Sequence, residues 1–273
     1  MKRFALILDL DNTLYSWMDS YAPALDKSIK FLAHSLNLSI PIVRNSYKVL
    51  FQKYNSVEVI NAACELDIWD NILISTEERE SIQRKTQELF LNTFRDNLGL
   101  FPNVEKVLTW AKNNGIMIIG FTDARAFWID FRLRALNLYS YFDRLYVLCD
   151  EDSYSNSVNE YPSKIYQYSL EHSKPQPDMY IEILRANKLK NSCTFMIGDS
   201  KRKDIKPASE LGISTIWARY GGQYSSSSKQ LLSAVTPWTP SQRASGGRVE
   251  PQYIIDDFSE VISIVKLYME DSK

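Results

Sequence analysis

The stretch Phe4-Ala5-Leu6-Ile7-Leu8-Asp9-Leu10-Asp11-Asn12-Thr13 decides the fold of this chain. Its apolar opening reads as a buried strand, which breaks after two acids into the polar turn Asn12-Thr13. In extended chain alternate residues point the same way, so Asp9 and Asp11 are expected to face one pocket while Leu8 and Leu10 face the core. The ends of strands are where α/β sheets place their chemistry. One carboxylate can then attack while the other moves a proton.

Outward from that strand, short β-rich runs alternate with helical patterns. Candidate strands are Phe4 to Leu8, Ile116 to Phe121, Leu145 to Leu148, Thr194 to Ile197, Ser214 to Ala218 and Tyr253 to Ile255. Amphipathic segments lie between them at Val104 to Lys112, Ala126 to Leu136, Asp178 to Ala186, Ile205 to Leu211 and Phe258 to Tyr268. This alternation predicts an α/β fold, a Rossmann-like parallel sheet with helices on both faces. Residues 15–97 break the rhythm with successive helical patterns and no strand. Leu25, Ile29, Leu32 and Leu36 form one apolar stripe, and Ile82, Leu89 and Phe90 lie on another. The expected organisation is a core of residues 1–14 and 98–273 with a smaller helical domain at 15–97, although ordinary packing layers would read similarly. Two insertions stand out. Asp150 to Ser157 is acidic and precedes an expected short helix around Ile165 to Leu170. Residues 223–250, with four consecutive serines, Pro237, Pro240 and Gly246-Gly247, are expected to be a flexible loop within the core, either plain or a flap over the site.

A net charge of −1 provides no global basic field for nucleic acid or an anionic membrane, so neither is expected as a partner. The basic opening Met1-Lys2-Arg3 is followed by an apolar run that meets Asp9 too early for a signal peptide, and no other stretch is long enough to span a bilayer. Three scattered cysteines without a Cys-x-x-Cys pair argue against a disulfide framework or structural zinc. The expected location is cytoplasmic. With His34 and His172 the only histidines, a multi-histidine metal centre is excluded, and oxygen ligands for a hard ion such as Mg²⁺ remain.

Taken singly, each polar candidate fits a turn or a helix cap: Asp9, Asp11, Thr122 after its apolar run, Lys174 before Pro175, and Asp199 after Gly198. Together they imply more. Asp9, Asp11, Thr122 and Asp199 fall at predicted strand ends, and Lys174 precedes the helix leading to the Asp199 strand. In a parallel sheet those ends share one edge. Acids, a hydroxyl and a lysine converging there suit phosphoryl transfer through a covalent aspartyl phosphate.

With these residues in place the chain resembles the haloacid dehalogenase superfamily. Asp9-Leu10-Asp11-Asn12-Thr13 is similar to that family's Asp-x-Asp-x-Thr motif, Thr122 to its second motif, Lys174-Pro175-Gln176-Pro177-Asp178 to its third, and Gly198-Asp199-Ser200 with Asp204 to its fourth. The helical insertion resembles the caps of this superfamily, whereas Gln223 to Glu250 matches nothing in it. The resemblance implies that Asp9 attacks phosphorus and that Asp11 protonates the departing alkoxide and later deprotonates water. It also implies Mg²⁺ held by Asp9, Asp199 and the backbone carbonyl of Asp11. Lys174 and Thr122 would hold phosphate, joined by Asp123 just after Thr122, and Asp204 would orient Lys174 or a water on the metal. Because dehalogenase relatives lack an acid at the Asp11 position, its presence favours phosphate esters.

The implied enzyme is a Mg²⁺-dependent phosphomonoesterase acting on a small soluble ester. The run Asp9 to Tyr15 is similar to that of pyrimidine nucleotidases, which suggests a nucleoside monophosphate. A phosphomutase acting on a sugar phosphate, or a binding or regulatory module without turnover, are the alternatives. Lys201-Arg202-Lys203 departs from the family pattern and is read either as a solvated helix start or as cations that attract an anionic substrate. Lys206-Pro207 departs too. Arg125 could touch substrate or solvate its helix, and Tyr15 and Trp17 could line a leaving-group pocket or pack between domains. Nothing in the sequence marks an oligomeric state.

Overall fold

In the computed structural model, which describes residues 3–150, 161–236 and 249–270, the opening run forms β1 (Ala5–Leu8), buried along its whole length. Six further strands join it, all parallel: β2 (Met117–Arg125), β3 (Arg144–Leu148), β4 (Ile165–Tyr168), β5 (Thr194–Gly198), β6 (Ser214–Ala218) and β7 (Tyr253–Ile255). Their order is β4-β3-β2-β1-β5-β6-β7. The chain therefore builds outward from β1 on one flank and then crosses to the other for β5. That reversal opens a crevice at the carboxyl ends of β1 and β5, the position where open α/β sheets bind ligands.

Both faces of β1 are covered, which is why its sequence is continuously apolar rather than alternating. Ala5 and Ile7 share a face with Met117, Ile119, Phe121 and Met196, packed against Met179, Tyr180 and Ile183 of α6 (Asp178–Ala186) and Ala208 of α7 (Lys206–Glu210). Leu6, Leu8 and Leu10 are equally buried. Among the described residues the other α-helices around the sheet are α4 (Val104–Asn113), α5 (Ala126–Ala135) and α9 (Glu260–Glu270).

Two strands differ from the sequence reading. The segment at 165–170, expected as a short helix, is β4, paired with β3 from Leu145↔Ile165 to Leu148↔Tyr168. It is an edge strand whose Tyr166 and Gln167 are exposed, so it lacks the apolar alternation that marks a half-buried strand. Tyr166 stacks on Tyr146 with ring centroids 5.3 Å apart, a cross-strand pair that supports the edge. The second difference is β2, which runs past Phe121 to Arg125 through an irregularity in its pairing with β3.

A second compact unit comprises Trp17–Leu98 and Tyr224–Ala244, and the first comprises Met1–Ser16, Gly99–Gln223 and Ser245–Lys273. The second unit is helical among its described residues, and its main part enters the chain between β1 and β2, as an inserted cap domain does. Its α1 (Trp17–Ser35) packs along α3 (Thr76–Asn97), burying Leu25, Ile29 and Leu32, while Tyr21 meets Phe90 and Phe94 edge to face. Trp17 stacks on Tyr21 and donates its indole N–H to Glu58 at 2.6 Å. These contacts are internal to the unit.

The 223–250 stretch is not a loop throughout. Ser226–Val235 forms α8, which packs against α1 and against α2 (Ile40–Tyr54) and sorts with the helical unit rather than the sheet. Ser225 caps it by accepting the Ser228 N–H at 3.2 Å, and the Ser225 hydroxyl donates to Asp19 of α1 at 2.7 Å. Leu232 and Val235 supply its buried stripe. Residues 237–248, with Pro237, Pro240 and Gly246-Gly247, lie outside the described residues, as do residues 151–157 of the acidic insertion. Asp150, at the edge of that insertion, accepts the Phe127 N–H in the first turn of α5 at 3.0 Å. Among the described residues no helix is long and apolar enough to cross a membrane.

Because one serine both caps α8 and ties it to α1, Ser225→Ala is expected to lower stability by about 0.5–2 kcal/mol. The reading is the urea midpoint followed by circular dichroism, and a wild-type midpoint would show that this cap does not hold α8.

Candidate active site

Asp9 continues β1 by donating its N–H to the Ile197 carbonyl at 2.9 Å. The chain then turns at Asn12, whose φ of 60° is left-handed, and closes with Asn12 N–H on the Tyr15 carbonyl at 2.8 Å. Asp9 is thus still strand-like, whereas Asp11 already belongs to the turn. The Asp9 carboxylate accepts the Thr13 hydroxyl at 3.0 Å on one oxygen and the Lys174 ammonium at 2.7 Å on the other. Lys174 also donates to Asp204 at 2.8 Å and lies 4.8 Å from the centre of the Phe121 ring. Its side chain is only 1% exposed. Burial opposes its charge, but Asp204 and Asp9 outweigh that cost and hold the ammonium well above its ordinary pKa.

Asp204 reaches this position through a π-helical turn at Lys201–Ile205 that leads into α7, and its second oxygen accepts the Ser200 N–H at 3.0 Å. Pro207 has no N–H to return to the Lys203 carbonyl, and the Tyr180 hydroxyl fills that role at 2.9 Å. Gly198 is required here, because a Cβ on it would lie 2.4 Å from the Asp204 carboxylate. Gly221 is required on the other side, where a Cβ would come within 2.1 Å of the Asn12 carbonyl oxygen and 2.6 Å of the Asp199 Cβ. The Trp217 indole donates to the Asp199 carbonyl at 2.7 Å.

Carboxylate oxygens of Asp9, Asp199 and Asp204 lie within 4.8 Å of one another. Among the described residues Lys174 is the one cation that bridges two of these acids, so the cluster carries surplus negative charge. Burial, together with Asp9 and Asp204, pushes Asp199 well above the usual carboxylate range. Burial, opposed by Lys174 and reinforced by Asp9, pushes Asp204 up to about 6. An all-oxygen donor set short of positive charge fits a hard dication such as Mg²⁺.

Asp11 is not part of this cluster. Its carboxylate accepts one guanidinium nitrogen of Arg132, on α5, at 2.9 and 3.1 Å. Burial raises its pKa, Arg132 opposes and Asp9 adds to the rise, with the Tyr15 hydroxyl buried beside it. Sequence reasoning missed Arg132, since arginine in an amphipathic helix reads as a solvated face. The available signal was its position at 132 on the buried stripe of Ala126, Ile129 and Leu133.

The site places the remaining candidates differently from one another. Thr122 is buried in the irregular part of β2, four residues before α5, and its hydroxyl accepts the Ala124 N–H at 3.1 Å, so it does not cap the helix. Asp123 accepts the Lys174 backbone N–H at 2.9 Å and the Lys203 ammonium at 2.8 Å. Although burial opposes its charge, Lys203 and Lys174 hold its pKa below the ordinary carboxylate value. Its carboxylate braces the Lys174 segment. Lys201 lies 4.4 Å from the centre of the Trp217 ring, so two of the three cations read as a steering patch have partners within the core. Arg125 donates to the Cys149 carbonyl at 3.0 Å.

Residues 5–212 match the family described as haloacid dehalogenase-like hydrolase, and residues 172–261 match a HAD-hydrolase-like family. The chain belongs to the haloacid dehalogenase-like hydrolases and is a hydrolase by class. Its structure is similar to a 2-haloacid dehalogenase from Pseudomonas syringae pv. tomato DC3000, at 19% identity and a TM-score of 0.62, covering 98% of this chain and 100% of that one. A HAD phosphatase from Thermococcus onnurineus is similar at 16% identity and 0.57, covering 97% and 98%. A putative beta-phosphoglucomutase from Thermotoga maritima is similar at 17% and 0.56, covering 98% and 99%. These likenesses establish the fold. No curated protein matched.

The raised carboxyls set a pH dependence of stability. A carboxyl at 3.8 in the unfolded chain and about 6 in the native protein keeps its proton only when folded across that window. Metal-free protein therefore loses stability as pH rises from 3.8 through about 6 and beyond, on the order of 1–3 kcal/mol. Mg²⁺ should restore the urea midpoint at neutral pH by binding the native state alone. Asp199→Asn should flatten the loss and remove the Mg²⁺ effect. Equal midpoints with Mg²⁺ and with chelator would show that the cluster does not bind the ion.

Proposed function

We propose that this hydrolase is a Mg²⁺-dependent phosphomonoesterase that cleaves a small soluble phosphate ester through an aspartyl phosphate, with a nucleoside monophosphate as one substrate class. The observation that carries this reading is the pair Asp9 and Asp11 at the sheet's switch point, each acid with its own buried cation. A dehalogenation needs no proton for its departing halide, whereas an alkoxide does.

Asp9 attacks phosphorus with one carboxylate oxygen while Lys174 and Thr13 fix its plane. As the bond from phosphorus to the ester oxygen breaks, its electron pair goes to that oxygen, which takes the Asp11 proton. Asp11, now ionised, accepts a proton from the water that attacks the aspartyl phosphate, and phosphate leaves. Thr122 and the neighbouring backbone N–H groups are assigned to the phosphate oxygens, with the Asp123 contribution coming from its main chain because its carboxylate is engaged. Asp9, Asp199 and the Asp11 carbonyl would hold Mg²⁺, which when bound supplies the positive charge that lets two anions meet. Asp204 sets the Lys174 position. Monoester hydrolysis requires accelerations of up to about 10²¹, against roughly 10²–10⁴ for an acid–base pair, so nucleophile, fixed cation and metal all have work here.

The helical insert acts as a cap, which favours a small ester over a phosphoprotein. The free thiols of Cys64, Cys149 and Cys193 accord with a reducing, cytoplasmic setting.

Phosphate release from a panel of phosphometabolites with Mg²⁺ tests the reading. Asp9→Asn is expected at background, chelation should abolish turnover, and Asp11→Ala should lower turnover of alkyl esters by roughly 10²–10⁴-fold. Beryllium fluoride should bind wild type as an acyl-phosphate mimic. Equal silence of wild type and Asp9→Asn across the panel would sink the proposal.

A further inference from the structure

Among the described residues two Lys or Arg side chains are buried, Lys174 and Arg132. Lys174 belongs to a recognised motif. Arg132 belongs to none, has 0% exposure, and directs one guanidinium nitrogen to both Asp11 oxygens at 2.9 and 3.1 Å. Its guanidinium carbon lies 6.0 Å from the centre of the Trp128 ring one turn earlier on α5. A buried ion pair is weak evidence for stability, because an apolar side chain of similar volume often serves a core as well or better. The pair therefore calls for an explanation in the chemistry of Asp11.

We propose that Arg132 is the positioning residue of the general acid, holding the Asp11 carboxyl in the orientation that delivers its proton to the departing oxygen; this rests on the phosphomonoesterase reading. Asp11 immediately precedes Asn12, whose φ of 60° turns the chain away from the strand. A single nitrogen shared between both oxygens fixes the carboxyl from the α5 side. Each oxygen keeps a further lone-pair site, and the Asp11 side chain retains 22% exposure, through which an ester oxygen can approach. In the transfer, the Asp11 O–H bond breaks, the proton goes to the leaving oxygen, and the electron pair of the cleaved phosphorus–oxygen bond stays on that oxygen. The resulting carboxylate is then stabilised by Arg132 until water returns a proton.

A residue with this role affects leaving-group protonation and not attack by Asp9. The test compares an alkyl phosphate, whose alkoxide needs a proton, with an aryl phosphate whose phenolate departs without one. In the full chain with Mg²⁺, Arg132→Met and Arg132→Lys should each lose at least about tenfold more kcat on the alkyl than on the aryl ester, within the roughly 10²–10⁴ that the acid itself supplies. Lysine keeps the charge but replaces the rigid guanidinium with a mobile point charge, so the ion pair remains while the fixed orientation is lost, and it serves as the folded comparison if methionine unfolds the protein. In an Asp11→Ala background the Arg132 substitutions should add little further loss, because Arg132 acts through Asp11. Equal losses on the two esters, or losses that add in full to that of Asp11→Ala, would overturn the assignment and leave a structural role. Wild-type rates judge the phosphatase reading separately: if wild type cleaves neither ester, both proposals fall, whereas normal cleavage with an unaltered alkyl-to-aryl ratio removes Arg132 alone.

Discussion

An ammonium with almost no exposure, 2.7 Å from Asp9 and 2.8 Å from Asp204, ties together three segments that are far apart in the sequence. Burying an ion costs several kcal/mol unless it is paired, and removing one partner of such a pair costs about 3–5 kcal/mol. The end of β1, the segment before α6 and the turn after β5 must therefore arrive together. The close approach of Asp204 dictates glycine at 198, and the course of its π-helical turn leaves the Lys203 carbonyl to Tyr180. Asp123 anchors the Lys174 backbone from β2, so the same lysine is held at its main chain as well as its tip. Few of these residues can move independently.

That constraint leaves the site short of positive charge. Asp9, Asp199 and Asp204 crowd within 4.8 Å, and the electrostatic strain appears as raised carboxyls at Asp199 and Asp204. A core that served stability alone would gain nothing from such a surplus. Perturbed groups of this kind cluster at functional sites, and the surplus here has the donor chemistry of a dication site. The strain is localised at the carboxyl ends of β1 and β5, where the strand order reverses.

The parallel sheet and the positions of Asp9, Lys174, Asp199 and Asp204 were legible in the sequence because buried strands are apolar on both faces and end abruptly at their acids. β4 was not, because an edge strand with Tyr166 and Gln167 exposed carries no alternating signal. α8 was not, because Ser225 to Ser228 reads as a turn until the cap on Ser228 and the contact with Asp19 are known. The local geometry of Thr122 was not legible either, since the irregular β2–β3 pairing that carries β2 past it leaves no apolar mark. Arg132 was hidden for a different reason: its partner lies 121 residues away, and no local pattern states that a helix will bury a charge.

In the proposed reaction Asp9 and Asp11, with one residue between them, have different tasks, attack on phosphorus and delivery of a proton. The sheet order is what lets one strand end satisfy both demands. β1 lies between β2 and β5, so its end is approached from two flanks. Arg132 arrives on α5, the helix that leaves β2, and Lys174 arrives on the connection that leads through α6 to β5. Because Asp9 still follows the strand while Asp11 has entered the turn, each meets a different cation. Lys174 is shared between Asp9 and Asp204 inside the acidic cluster. Arg132 stands apart from that cluster, and burial and the charge of Asp9 outweigh it and raise the Asp11 carboxyl above its ordinary value. Two acids of identical chemistry thus acquire different partners, and a reversal in strand order supplies them.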